Sequence, residues 1–169
     1  MILTLTASTQ ASDRTLFNTQ PDIETLIEQI NSDEVVCLAK NIYFESRSDN
    51  LAGKIAVTDV VLNRVDSTHY PNSACDVVYQ GRKDINGNMK RNKCQFSWYC
   101  DGKSDKITNP ETNDSWQLAL DLATDMYYND MWNGITEGAT HYHATYVKPA
   151  WAYEITLVGR IGQHIFYRQ

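Results

Sequence analysis

Glu45 is the residue of this chain whose type and placement first suggest chemistry. Val35, Leu38, Ala39 and Ile42 fall at i, i+3, i+4 and i+7, one apolar face of a helix, and the next residue on that face is Glu45. A carboxyl carried on a buried face loses hydration, which disfavours its charged form and raises its pKa. Such a group can hold a proton and give it to a leaving group. The plain structural alternative is an ion pair with Arg47 or Arg64, and residue type alone leaves the two readings level.

Three further groupings carry chemistry-bearing side chains. His141 and His143 alternate with Tyr142, so both imidazoles share one face of a strand. A metal site there would need His69 or His164 as a third ligand, and no motif marks either, so no metal or other cofactor is expected. Cys75, Cys94 and Cys100 lack the close pairing of a zinc site, and one disulfide within the trio is the better expectation; Cys37 reads as a small core hydrophobe. Between two of these cysteines runs Gln95-Phe-Ser-Trp-Tyr99. Rings with amides and hydroxyls suit a sugar-binding wall, and a small tuck closed by a disulfide suits the same residues. Lys83, Lys90, Arg91 and Lys93 make a basic loop, either a solvated face or a reception surface for an anionic polymer.

The elements that must position these groups are legible from periodicity and punctuation. Pro21 to Ile30 is amphipathic, with Ile23, Leu26, Ile27 and Ile30 in one stripe, and Asn31 with Glu34 reads as a capping box that stops this helix and starts the one carrying Glu45. Ser46 to Asn50 supplies N-caps for a third helix, Leu51 to about Val65, apolar nearly all round and therefore central. Asp66 to Thr108 is rich in turn signals and reads as irregular. A further helix starts at Asn109-Pro-Glu, carries Trp116, Ala119, Leu120, Ala123 and Tyr127 on one face, and ends at Asn133-Gly134. Period two follows Gly138, and Tyr153–Val158 with His164–Tyr167 reads as a terminal hairpin joined across Gly159 and Gly162.

At 169 residues the chain fits one domain, 20–169, preceded by a loose arm over 1–19. A net charge of −6 argues against a binder of nucleic-acid phosphates. No apolar run approaches a membrane span, so no membrane insertion is expected. The first ten residues have no basic start and do not form a secretory signal.

With these residues in place, the chain resembles the cell wall hydrolase family typified by bacterial spore cortex-lytic enzymes, with related forms in phages and proteobacteria. The resemblance rests on Asn41-Ile-Tyr-Phe-Glu45-Ser-Arg47-Ser-Asp49, Val57-Thr-Asp-Val-Val-Leu-Asn63-Arg64-Val65, Val77-Val-Tyr-Gln80, Cys94-Gln-Phe-Ser97, Gly138-Ala-Thr-His-Tyr142-His143-Ala and Arg160-Ile-Gly-Gln-His-Ile-Phe166. It covers about Val35 to Arg168. Ser48 stands where the family often has Gly, and Asp49 where it has the longer Glu. The resemblance implies a lysozyme-like α+β domain, mainly helical with a small C-terminal antiparallel sheet. It also implies cleavage of peptidoglycan between N-acetylmuramic acid and N-acetylglucosamine, as a lytic transglycosylase with Glu45 as acid and base. Gln95, Phe96 and Ser97 match the family's groove motif, Tyr142 and His143 its substrate strand, and Trp151 is a candidate sugar-stacking ring. Asp49 and Glu154 are the candidates for a second acid, which a hydrolase would need and a transglycosylase would not.

Two rival functions draw on the same residues: a metallo-amidase built on the histidines, and a non-catalytic glycan-binding or virion module in which Glu45 braces Arg64. The expected partner is the glycan strand of peptidoglycan, met by a monomer. The expected setting is that of a phage endolysin held in the host cytoplasm until lysis.

Overall fold

The computed structural model describes residues 22–169; the arm over 1–19 lies outside them. Helix α1, Ile23–Glu45, starts at Asp22, whose side chain accepts from Thr25 N at 2.8 Å. It runs unbroken through Asn31 and Glu34, where a stop was expected. A capping box ends a helix only if its carboxylate turns back on its own backbone. Here Glu34 reaches across the molecule instead and accepts from the backbone N–H groups of Ala74 and Cys75. Those amides open helix α3, Ala74–Val78, so a tertiary demand replaces the local one. The disulfide Cys37–Cys75 fastens the same two helices, and Cys37 is therefore cross-linked rather than a free core thiol. Of the expected stripe, Ile23 and Ile27 stand exposed.

Helix α2, Leu51–Val65, begins where Asn50 accepts from Gly53 N at 2.9 Å and is buried on most of its circumference, as its composition required. It is the centre of the molecule. Its Asp59 accepts from Gly134 N, Thr136 N and the Thr136 hydroxyl, and Asn63 donates to Ala139 O, so α2 holds the turn-rich run 129–140 against itself. Helix α4, Asp114–Tyr128, is capped by Asn113 and packs Trp116 edge-on to Tyr43 of α1. It ends at Asn129, earlier than the expected Asn133-Gly134, because the following residues are drawn into turns by Asp59.

The stretch Asp66–Thr108 holds more order than its turn signals suggested. Besides α3 it contains a hairpin of β1, Gly81–Lys83, with β2, Met89–Cys94, and a 3₁₀ turn over Ser97–Cys100 closed by the disulfide Cys94–Cys100. That second cross-link is the one expected within the cysteine trio. The C-terminal sheet has the order β3-β5-β4, all antiparallel, with β3 at His141–Ala144, β4 at Thr156–Ile161 and β5 at His164–Arg168. Gly159 lies inside β4 at a register shift, and Gly162 alone serves the turn. One core gathers α1, Ile55 and Val61 of α2, α3, α4, Phe96 and Trp98. A second, smaller one joins Ala56 and Val60 of α2 to Ala139 and Phe166 of the sheet region. Among the described residues no helix is long and apolar enough to cross a membrane.

Candidate active site

Helix α1 ends on Glu45, and the chain must turn at once to start α2. Ser46 closes the helix with its hydroxyl donating to Ile42 O at 2.8 Å. From α2, the Lys54 ammonium donates to Ser46 O and Arg47 O, a cation on the carbonyl end of α1. These contacts fix the direction in which the Glu45 side chain leaves its helix.

It leaves into a cleft of about 550 Å³ between the helical body and the sheet. The far wall comes from β3 with His141, Tyr142 and His143, from β5 with His164, and from Trp151 on a 3₁₀ turn. The near wall is Gln95, Phe96 and Ser97 beside the Cys94–Cys100 cross-link. All seven residues that the sequence marked as catalytic or substrate-binding thus line one space. They do not stand in it equally. Phe96 is 1% exposed and belongs to the core, with the Arg64 guanidinium 5.5 Å from its ring centre, so it forms the cleft floor and is not a free stacking surface. Ser97 and Gln95 are exposed.

Burial raises the pKa of Glu45, and the nearby Tyr142 hydroxyl and Arg64 guanidinium pull it partly back. Neither basic residue first considered as its partner is paired with it. Arg47 lies over the Tyr43 ring, 5.6 Å from its centre. Arg64, on α2, donates from Nε to Thr140 O at 2.8 Å and sits between the rings of Tyr70 and Phe96. Among the described residues Lys103 pairs with Asp101, and the His164 imidazole meets the Asp49 carboxylate. Glu45 is in neither.

Two buried polar atoms of residues lining this cleft, Arg64 Nη1 and the Tyr142 hydroxyl, make no hydrogen bond of full geometry among the described residues, although the Tyr142 hydroxyl is near enough to Glu45 to lower its pKa. Burial and the neighbouring Glu45 push the Tyr142 pKa well above its ordinary value, so it stays a neutral donor. An unpaired buried donor costs free energy unless something arrives to accept from it.

The candidate second acids are both elsewhere. The Asp49 carboxylate is wedged where a Cβ on Gly53 would lie 2.2 Å and one on Gly162 2.3 Å from it, and it accepts from Gln163 N and His164 Nδ1. It is a buried tie between the α1–α2 loop and the β4–β5 turn. Glu154 is exposed at the end of the Ala150–Tyr153 turn and does not line the cleft. Sequence reasoning missed Asp101, which does line it. Its carboxylate accepts from Lys103 N at 2.7 Å and pairs with the Lys103 ammonium at 3.5 Å. It also missed His164 as a cleft residue, although His164 lies within a motif already noted.

The histidines are engaged in ways that do not suit a metal. His143 Nδ1 donates to Ala144 O at 2.9 Å, leaving Nε2 to accept from the Tyr167 hydroxyl at 2.9 Å. His164 is held by Asp49, and His69 lies by Ser67 on the surface. Among the described residues no three His, Cys, Asp or Glu side chains gather in a way that could hold a metal ion. His141 and His143 instead flank Trp151, with ring centres 5.5 and 5.7 Å from it. Burial, then Arg64, lowers the pKa of His141.

A helical body, a small antiparallel sheet and an unpaired carboxyl at the helix end in the cleft between them define an α+β domain of the lysozyme-like kind. The chain belongs to the cell wall hydrolase family, whose profile matches residues 48–167 and so begins just after Glu45. It is 24% identical over 136 residues to a spore cortex-lytic enzyme of Bacillus cereus, covering 80% of this chain and 44% of the relative. The corresponding enzyme of Bacillus subtilis is 23% identical over 136 residues, covering 80% and 38%. The chain therefore spans less than half the length of these curated relatives. Among solved structures it matches the catalytic domain of the Bacillus cereus SleB protein with TM-score 0.58 and 25% identity, over 81% of this chain and 91% of that one. It also matches the catalytic domain of the germination-specific lytic transglycosylase SleB from Bacillus anthracis, with TM-score 0.58, 26% identity and coverage of 80% and 94%.

Proposed function

We propose that this protein cleaves the β-1,4 bond between N-acetylmuramic acid and N-acetylglucosamine in peptidoglycan, as a lytic transglycosylase. The observation that carries the reading is the state of Glu45: in the cleft, desolvated, and unclaimed by either neighbouring arginine. Family membership and the lytic transglycosylase among the structural relatives support it. Protonated Glu45 gives its proton to the glycosidic oxygen as the bond to muramyl C1 breaks. The muramyl C6 hydroxyl oxygen then bonds to C1 and returns a proton to Glu45, so no water is consumed and the acid is restored. The intramolecular attacker supplies through proximity what a water-activating carboxylate would supply in a hydrolase. Arg64 Nη1, without a partner among the described residues, can donate to the sugar's acetamido or hydroxyl oxygens, while the Tyr142 hydroxyl stands near enough to Glu45 to lower its pKa.

Asp101 supports a second reading, since it is a carboxylate on the wall of the same cleft. If it held a water or attacked C1, the enzyme would be a lysozyme-type hydrolase. Its commitment to Lys103 favours the first reading. Mass spectrometry of muropeptides from digested sacculi separates them. Anhydro-muramic ends, lighter by one water than reducing ends, with Asp101→Asn active, support the transglycosylase. Reducing ends with Asp101→Asn as inactive as Glu45→Gln would overturn it.

The setting we propose is a phage lysis enzyme, monomeric and independent of nucleic acid, held in the host cytoplasm until the membrane is breached. Disulfides persist beyond the cytoplasm and are reduced within it, so the cross-links Cys37–Cys75 and Cys94–Cys100 would close only at the wall. Cytoplasmic expression should leave the host intact until its membrane is permeabilised. Lysis without permeabilisation would count against this setting.

A further inference from the structure

The β1–β2 hairpin has no part in the chemistry above, yet it is where the charge of this molecule is most unevenly placed. Residues 81–94 hold Arg82, Lys83, Lys90, Arg91 and Lys93 against the single acid Asp84, in a chain of net charge −6. Asp84 is occupied in the turn, accepting from Asn86 N and Asn88 N. At the base of the hairpin lies a second cleft of about 480 Å³ with Gln80, Arg82, Asn92, Lys93 and Gln95 on its walls and no acidic residue. Gln95 also lines the cleft that holds Glu45, so the two spaces share a wall.

The strand geometry builds this second cleft. β1 and β2 pair at Gly81 with Cys94 and at Lys83 with Met89, so the longer stretch of β2 bulges between those points. Asn92 in the bulge takes φ +55°, a left-handed conformation that asparagine tolerates. Bulges of this kind re-aim side chains beside functional sites. Gly81 has no room for a side chain, since a Cβ there would meet the Met89 and Cys94 sulfurs at 2.6 and 2.9 Å. Neither Arg82 nor Lys93 takes part in an ion pair among the described residues. The Gln80 side-chain oxygen is buried without a hydrogen-bond donor among them.

These features specify a ligand. Two uncommitted cations call for carboxylates or phosphates, and the side-chain amides of Gln80, Asn92 and Gln95 that line the same cleft call for N–H groups as well. A phosphodiester chain has no N–H to offer, whereas a peptide with free carboxylates offers both. We propose that the β1–β2 cleft is a subsite for the carboxylate-bearing peptide arm attached to the glycan strand whose backbone enters the Glu45 cleft, an inference that rests on the function proposed above.

The test compares two substrates, peptide-bearing glycan strands and the same strands stripped of peptide by an amidase. Arg82→Gln/Lys93→Gln changes exposed side chains and should leave the fold intact; Lys83→Gln/Lys90→Gln removes equal charge outside the cleft. Expected is a fall of about tenfold in kcat/KM on peptide-bearing strands for the first pair only, the size for two exposed charge contacts, with peptide-free strands unaffected. An equal loss on both substrates, an equal loss from the second pair, or no loss overturns the subsite. Sedimentation of each protein, in a Glu45→Gln background, with the two kinds of strand reads the subsite without turnover. Peptide-dependent binding that vanishes with Arg82→Gln/Lys93→Gln supports it even if the wild-type protein cleaves neither substrate. Failure of the catalytic reading is then distinct from failure of the subsite.

Discussion

A carboxyl group whose pKa burial raises costs the fold stability while suiting the proton donation proposed for it, and at Glu45 both effects can be measured. Its folded pKa is raised, so between the ordinary carboxylate pKa and the folded one the native state binds the extra proton. Stability from this group is therefore highest at low pH and falls as pH rises through the folded pKa. Glutamine cannot ionise. Glu45→Gln should melt higher than wild type near neutral pH, and the gain should shrink below about pH 4 as both states of the wild-type acid become protonated. Activity should drop at least about a hundredfold, the low end of general-acid effects. A variant that melts lower at every pH, or one with near-normal turnover, would contradict this placement. Tyr142 modulates the same group, since its hydroxyl holds the Glu45 pKa down. Tyr142→Phe should thus move the alkaline limb of the kcat/KM profile to higher pH. A limb that stays put or moves down would remove Tyr142 from the electrostatics of the acid.

At the scale of elements, the sequence was most legible where one helix face or one cap decides the outcome. The limits of α2 follow from the Asn50 cap and its apolar content, and the strand bearing His141 to His143 follows from alternation. What was not legible depended on partners remote in sequence. Glu34 leaves its own backbone for the amides of Ala74 and Cys75, and Asp59 gathers residues 134–136. Of the candidate site, period and motif marked Glu45 and residues of the near and far walls, and the structure brings these to one cleft. The roles of Asp49 and Phe96 could not be read, because spacing does not reveal which side of a loop a carboxylate fills or how deep a ring sits. Asp49 shows the consequence. As a tie between the α1–α2 loop and β5, it should behave as a structural residue and not as a second acid. Asp49→Asn keeps the shape between Gly53 and Gly162 while giving up one buried acceptor, so a loss of about 1–3 kcal/mol is expected. Turnover below the melting point should remain far above that of Glu45→Gln. Equal inactivity in a folded Asp49→Asn protein would return it to the catalytic machinery.

For the whole molecule, the two disulfides divide the labour of holding the helical body together and shaping the groove. Cys37–Cys75 joins α1 to α3 across a separation of 38 residues, at the same junction where Glu34 caps α3. Closing a loop of that length restricts the unfolded chain by about 4 kcal/mol on the chain-entropy estimate. Cys94–Cys100 closes a separation of only 6 residues, for which the same estimate gives about 2.4 kcal/mol. Its loop, however, carries Gln95 to Ser97, the near wall of the cleft, and its first cysteine ends the basic hairpin. The two cross-links should therefore fail differently. Cys37→Ser/Cys75→Ser should lower the melting temperature more, and at temperatures where it stays folded its kcat/KM should be close to wild type. Cys94→Ser/Cys100→Ser should melt nearer to wild type yet lose more kcat/KM, because Ser97 and Gln95 no longer stand at a fixed distance from Glu45. Thermal melts and turnover on purified sacculi, with reductant added to the wild type as a third arm, check both halves. Reduction of the wild type should reproduce the sum of the two defects. If Cys94→Ser/Cys100→Ser retains full turnover, the near wall is held by the burial of Phe96 and Trp98 alone, and the short cross-link has no role in the groove.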